Sequence, residues 1–272
     1  MVATPIGNLG DITRRALETL ARADVVAAED TRVTRGLLNH YGISAKLMSL
    51  HAHNERHAAE QVVAALAAGK TVALVTDAGT PAVSDPGSLL VAAVRAAGHR
   101  VIPIPGPSAL TAALSASGLT FEGVVFAGFL AAKGSERREK LAALAASPWA
   151  IALFEAPHRI AQTLGDLHVA LGDRDVVIAR EITKRFETIA RVPLAEARAW
   201  VEADDDRRRG EFVLVIEGRA VESAAPGLDP RTVLATLLAE LPVKQAVALA
   251  VKVTGGKRNE LYAMALEIKN QA

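Results

Sequence analysis

The chain has no cysteine, which excludes disulfides and thiolate metal sites and fits a reducing compartment. It also lacks charge of one sign. Thirty-one Lys and Arg face thirty Asp and Glu, for a formal charge of +1. Any nucleic-acid partner must therefore be met by a local patch rather than by bulk charge. No apolar run reaches the roughly 18 residues that span a bilayer. No signal peptide is visible, so the expectation is a cytoplasmic protein without a membrane partner. Aromatics make up only 4% of the residues. Trp149, Trp200 and most Phe fall in apolar segments and read as core rather than stacking platforms. GxGxxG, Walker and HExxH motifs are missing, as is any Ser-His-Asp spacing. His51, His53 and His57 lack cysteine or acidic partners at ligand spacing, and no metal is expected.

What is present is apolar content and rhythm. Half of the 272 residues are hydrophobic, enough for a large core in one or two domains. Short apolar runs alternate with helical patterns: a strand tail at Val2-Ala3, then strands over 25–28, 45–50, 71–75 and 101–104. Helices are expected over 13–22, 34–40, 54–68 and from Asp85-Pro86, read as a cap and first-turn proline, to Gly98. Alternation with short connections predicts a mainly parallel sheet covered on both faces. Pro103 to Pro107 punctuates the chain and places a domain boundary near residue 105. A helix over 108–117 consists almost wholly of small residues, which suits close packing against a sheet or ligand.

The second half, 106–219, has strands over 124–129, 149–154, 175–182, 187–191 and 211–217. Helices are expected over 134–144, from residue 159 to 171, and over 194–202. Consecutive strands with fewer helices predict a mixed sheet. The DDDRRR run at 204–209 reads as a self-neutralising surface loop. A linker over 220–230 precedes a small helical extension, 231–272, with helices over 232–241, 243–253 and 257–268. That trio fits a helix-turn-helix as well as a solvated cap or dimerisation element.

Four strand ends carry small or rigid residues: Thr4-Pro5-Ile6-Gly7-Asn8, Asp77-Ala78-Gly79-Thr80-Pro81, Pro105-Gly106-Pro107-Ser108-Ala109 and Phe154-Glu155-Ala156-Pro157. If the strands are parallel, these loops share one rim and form a mostly apolar, backbone-lined cleft for a small ligand. Asp77, Ser108 and Glu155 are its polar groups. Cations at loops and helix starts, among them Arg32, Arg56, Arg159 and Lys184, would bind phosphates if gathered at that rim.

Taken in order, VATPIGNLGDIT (2–13), AEDTR (28–32), HAHNER (51–56), VTDAGTPAVSDPG (75–87), PIPGPSA (103–109), FEAPHR (154–159), REITKRFET (180–188) and GEFVLVIEG (210–218) form a specific set. The chain resembles the 16S rRNA (cytidine-2′-O)-methyltransferase family of the tetrapyrrole-methylase class. The resemblance covers nearly the whole chain. It extends to the tail, through Lys244, Thr254-Gly255 and Glu260-Leu261-Tyr262. Family members usually carry several more residues of strand before the first motif.

The resemblance implies a class III methyltransferase: a two-domain α/β fold with a parallel N-terminal sheet, a mixed C-terminal sheet and a helical extension, usually as a homodimer. It implies methyl transfer from S-adenosyl-L-methionine to the 2′-hydroxyl of a cytidine in the decoding region of 16S rRNA, within the 30S subunit. The cofactor motifs fall on Pro5, Ile6, Asp77, Gly79, Thr80, Ser108, Ala109 and Phe154. Methyl transfer then needs in-line positioning and removal of one proton. Rim candidates for that proton are Glu29, Asp30, His53, Glu155, Glu181 and Lys184. Glu29, Asp30 and His53 are placed first as catalytic, and Arg32, Arg56, Arg159 and Lys184 as RNA-binding. Two other readings compete: the same fold acting on a tetrapyrrole, whose carboxylates also suit a basic rim, and a non-catalytic RNA-binding factor that uses the tail.

Overall fold

The computed structural model describes residues 1–219 and 229–271. The chain forms two compact units, Met1–Arg219 and Ala220–Ala272. The first unit holds two sheets. Most of the expected linker, 220–228, lies outside the described residues.

The first sheet is parallel, in the order β2 (Leu47–Ser49), β1 (Val25–Ala28), β3 (Val72–Val75). Its register pairs Ala28 with both Ser49 and Val75, so Glu29, Leu50 and Thr76 leave the sheet at one rim. Alternate residues face opposite sides. Val26, Ala28, Ala73 and Val75 pack with Ala16 and Leu20 of α1 (Arg14–Arg22) and Leu38 of α2 (Thr31–His40). Ala27 and Leu74 pack with Ala58, Ala59 and Val62 of α3 (Glu55–Ala67) and Leu90 and Val94 of α4 (Ser88–Ala96).

The segment before α1 lies along the far side of β3. Val2 N–H donates to the Leu74 carbonyl at 2.8 Å, and Val2 bridges Ile104 in parallel. The strand expected over 101–104 is thus reduced to a single bridge. The prolines at 103, 105 and 107 have no N–H to extend a ladder.

The expected start of α4 is wrong. Asp85 does not cap α4. The helix starts at Ser88, with Gly87 in the cap position at φ 132°. Its first-turn N–H groups are satisfied from another element: Glu55 Oε1 accepts from Gly87 (2.9 Å), Leu89 (2.8 Å) and Leu90 (3.2 Å). A carboxylate at a helix N-terminus also meets the positive end of its dipole.

The second sheet is mixed, with the order β4 (Val124–Phe129), β5 (Ala150–Glu155), β8 (Phe212–Ile216), β6 (Asp175–Arg180), β7 (Thr188–Pro193). Only the β4–β5 pair is parallel. One face carries large residues, such as Ile151, Leu153, Ile178 and Leu214. These pack on Leu141 of α6 (Gly134–Leu144), Leu164 and Leu167 of α7 (Ile160–Leu171), and Leu194 of α8 (Leu194–Glu202). The other face carries Ala150, Val177, Ala179, Val213 and Val215, and meets Ala109, Ala112 and Ala113 of α5 (Ala109–Ala116). Small faces small, so α5 lies close to the sheet, as its composition predicts. The DDDRRR run forms a short 3₁₀ turn with three i,i+3 ion pairs, Asp204–Arg207, Asp205–Arg208 and Asp206–Arg209.

The second unit consists of α9 (Pro230–Glu240), α10 (Val243–Thr254) and α11 (Arg258–Gln271) around Leu234, Val247, Ala250, Leu261 and Ala265. Asp229 caps α9, and Gly255, at φ 67°, ends α10. Among the described residues no helix is long and apolar enough to cross a membrane.

Candidate active site

The strand ends of both sheets open on one cavity of ≈ 340 Å³, within the range of small-ligand sites. Six of the expected cofactor residues line it: Ile6, Gly79, Thr80, Ser108, Ala109 and Phe154. Pro5 and Asp77 are not in its lining. Phe129, Glu155, Ile182, Lys184, Glu211 and Val213 line it from the second sheet, and Asp85 from the loop before α4. β8 contributes its first residues because it runs antiparallel to β5 and β6. Phe212 stands opposite both Glu155 and Arg180.

Backbone and hydroxyl hydrogen bonds stitch the loops together. Thr4 and Gly79 exchange N–H···O bonds of 2.9 and 3.1 Å, and Thr4 Oγ1 donates to the Thr76 carbonyl. Thr80 Oγ1 donates to the Pro107 carbonyl at 3.1 Å. Gly79 sits at φ 79°, and a Cβ there would lie 3.4 Å from Ile6 Cγ2. The left-handed backbone favours glycine there. On the opposite wall Phe154 meets Phe126 and Phe129 edge to face, at centroid distances of 5.0 and 5.6 Å. A bulge between Phe126 and Phe129 brings Phe129 to the cavity with half its surface exposed. From the sequence Phe129 reads as strand core, not as a residue of the cavity wall. The φ of 62° at Gly128 is the local cause.

The charged groups divide into two sets. In the first, the side chains are occupied within the protein. Glu155, 2% exposed, accepts from Ala156 N–H (2.8 Å) and Thr163 Oγ1 (2.6 Å) and pairs with Arg159 at 3.2 Å. Arg159 also donates to the Leu130 carbonyl at 2.7 Å, so it is turned inward. Lys184 pairs with Glu181 (2.9 Å) and Glu211 (2.8 Å). Burial pushes the Glu181 carboxyl up, but Lys184 and the Glu211 N–H hold it below its ordinary value. Burial likewise lowers Lys184, and the two glutamates more than restore it. The Lys184 stem fills the space beside Gly7.

The second set gathers at the rim of the first sheet. Asp77 Oδ1 accepts from Asp30 N–H at 3.0 Å, and Asp77 N–H donates to Glu29 at 3.3 Å. Asp77 therefore ties β3 to β1. Burial pushes Glu29 up, the Asp77 N–H opposes it, and the charges of Asp77 and Asp30 add to the rise. Asp30 caps α2 and is held down to about 2 by hydrogen bonds from the Arg32 side chain and N–H. His53 is exposed, 6.0 Å ring to ring from His51. Glu29, Asp30 and His53 do not line the cavity, whereas Asp85 does. Burial, then the charges of Glu29 and Asp77, raise Asp85 to about 6.

The cavity suits a nucleoside joined to a short charged chain. Its walls are apolar, and α5 opens without a side-chain cap at Ser108. That leaves first-turn N–H donors for an anionic group.

Residues 1–198 match the family model described as Tetrapyrrole (Corrin/Porphyrin) Methylases, and 224–269 match the RsmI C-terminal HTH domain. A ribosomal RNA small subunit methyltransferase I from Escherichia coli O157:H7 is 50% identical over 98% of this chain and 94% of its own. The chain belongs to the ribosomal RNA small subunit methyltransferase I branch of the tetrapyrrole methylases. Another member of this branch, from Pseudomonas aeruginosa, is 47% identical over 98% of this chain and 96% of its own. Solved tetrapyrrole methylases share the fold at low identity. A cobalt precorrin-4 methyltransferase matches with TM-score 0.60 and 21% identity over 79% of this chain and 92% of its own. A uroporphyrin-III C-methyltransferase from Thermus thermophilus, complexed with S-adenosylhomocysteine, matches at TM-score 0.56 and 18% identity, over 79% of this chain and 95% of its own.

Proposed function

We propose that this protein methylates the 2′-hydroxyl of a cytidine ribose in 16S ribosomal RNA, using S-adenosyl-L-methionine. The observation that carries the reading is half-identity over nearly the full length to small-subunit rRNA methyltransferases, joined to a cavity built from the matching motifs. The cofactor supplies an activated methyl on a sulfonium. Ile6, Gly79, Thr80, Ser108, Ala109 and Phe154 hold it, with Asp77 and Pro5 bracing the loops from outside the lining. The protein's own task is to place one hydroxyl in line with that methyl and take up one proton.

RNA lies over the rim of the first sheet. Arg32, exposed at the start of α2, and Arg56, exposed in the first turn of α3, bind its phosphates in this reading. Arg159 and Lys184 instead shape the cavity, since their side chains are largely buried and face internal carboxylates. The substrate is taken within the 30S subunit, in the cytoplasm, by a homodimer. The open edge strand β7, with Ile189 and nearby Phe186 exposed, is a face that a second copy can cover.

Labelled cofactor with 30S subunits, naked 16S rRNA and a uroporphyrinogen, followed by mapping of ribose methylation, tests the reading. Label in a cytidine ribose of the small subunit is expected. Label only in the tetrapyrrole, or none together with no cofactor binding, would replace it by one of the two competing readings.

A further inference from the structure

We propose that Asp85 takes the proton from the ribose hydroxyl as that hydroxyl is methylated. The inference rests on the function proposed above and names a residue for it. Asp85 lines the cavity, half-buried. The helix-capping role that its sequence position suggests belongs to Glu55. No cation pairs with Asp85 among the described residues, in contrast to Glu155, Glu181 and Glu211, which all face Arg159 or Lys184. Thr76, next to it, is 2% exposed. Its hydroxyl reaches the Asp85 carboxyl only weakly, the smallest of the influences there. A half-buried carboxylate that lines the cavity without a cation points to a polar group of the ligand as what it meets.

The loop holds Asp85 in place. Ala82 and Ser84 both take left-handed backbone, φ 68° and 66°, which non-glycine residues adopt only where the surroundings impose it. Ser84 packs against Gly128, where a Cβ would meet its Oγ at 2.9 Å. The facing charges are Glu29 and Asp77, with His51 acting on Glu29. Burial and the two like charges keep a proton on Asp85 to higher pH than on an ordinary aspartate, which suits a base working near neutrality.

The step balances. The hydroxyl oxygen bonds the methyl carbon with its own electron pair as the carbon–sulfur bond breaks and sulfur keeps that bond's pair. The O–H proton passes to an Asp85 carboxylate oxygen and then to water.

The test compares wild type, Asp85→Asn and Asp85→Glu on 30S subunits, with cofactor affinity by calorimetry and carboxyl titration by ¹³C NMR on the free protein. Asp85→Asn is expected to lower kcat by about 10²-fold or more, with cofactor Kd within about threefold. The acidic limb of the wild-type pH profile should vanish in it, and Asp85→Glu should restore part of the rate with a shifted limb. Three results would overturn the proposal. One is an Asp85→Asn enzyme within about fivefold of wild type with its acidic limb intact. A second is a rate restored by saturating cofactor, which would make Asp85 a binding group. The third is an Asp85 carboxyl that titrates as an ordinary aspartate. Wild type inactive on the RNA would instead strike the substrate reading itself.

Discussion

Glu55 Oε1 accepts the Gly87 N–H at 2.9 Å across 32 residues of sequence, and the same oxygen serves Leu89 and Leu90. One carboxylate on α3 thereby fixes where α4 begins and where the cavity loop ends. Glu55→Ala removes the acceptor of three largely buried N–H groups, a cost of about 2–3 kcal/mol. A drop in Tm of about 5–10 °C is expected for a unit of this size. Glu55→Gln should fall between. Thermal denaturation followed by circular dichroism, with and without cofactor, checks both.

Gly79→Val should damage cofactor binding more than stability. The substitution forces a β-branched residue into φ 79° beside Ile6, at about 1–3 kcal/mol of strain. It also pushes on the Thr4–Gly79 hydrogen-bonded pair. Cofactor Kd should rise by about tenfold or more, read by calorimetry. A Kd unchanged from wild type would remove this loop from the binding wall.

Asp85 makes a stability prediction with a definite sign. Its folded pKa of about 6 lies above the ordinary 3.8, so the folded state binds the proton more tightly than the unfolded state. Its contribution is therefore most favourable below pH 4, falls as pH rises through 6, and is a net cost above that. Asp85→Asn should stabilise the protein at pH 7.5 by about 1 kcal/mol, after discounting for the water it still meets. The gain should disappear near pH 4. Paired with lost activity, this is the trade-off expected of a functional site.

Arg32→Ala and Arg56→Ala should weaken RNA binding without touching the cofactor. The loss of one phosphate contact should reduce the slope of log affinity against log salt by about 1. Filter binding across a salt series reads this. Arg159→Ala should instead destabilise the fold, because it leaves Glu155 buried without its ion pair.

Much of the fold was legible because local signals coincided. The four-residue strand Val25–Ala28 is bounded by Asp24 and Glu29, and α8 runs from Leu194 to Glu202, as expected. The parallel register then brings Glu29 and Asp77 to one rim, as strand-end loops predicted. What stayed hidden was long-range. Asp85-Pro86 has the chemistry of a helix start, but Glu55 supplies the cap from another helix, which leaves Asp85 for the cavity. Glu155 reads as a rim carboxylate, yet Arg159 and Thr163, four and eight residues further along the chain, fold back on it. The bulge that turns Phe129 to the cavity hangs on one positive-φ glycine, which no pattern of hydrophobicity reveals.

The place of β8 has a consequence for how the molecule comes to exist. This last strand of the first unit lies in the middle of its sheet, between β5 and β6. During synthesis, β5 and β6 are made long before the segment that joins them, and each waits with an open edge. The cavity waits too, since Glu211, Phe212 and Val213 complete its wall. Such non-local closure is slow and leaves strands exposed meanwhile. A ribosome carrying this chain must therefore translate past Ile216 before the cavity has its last wall.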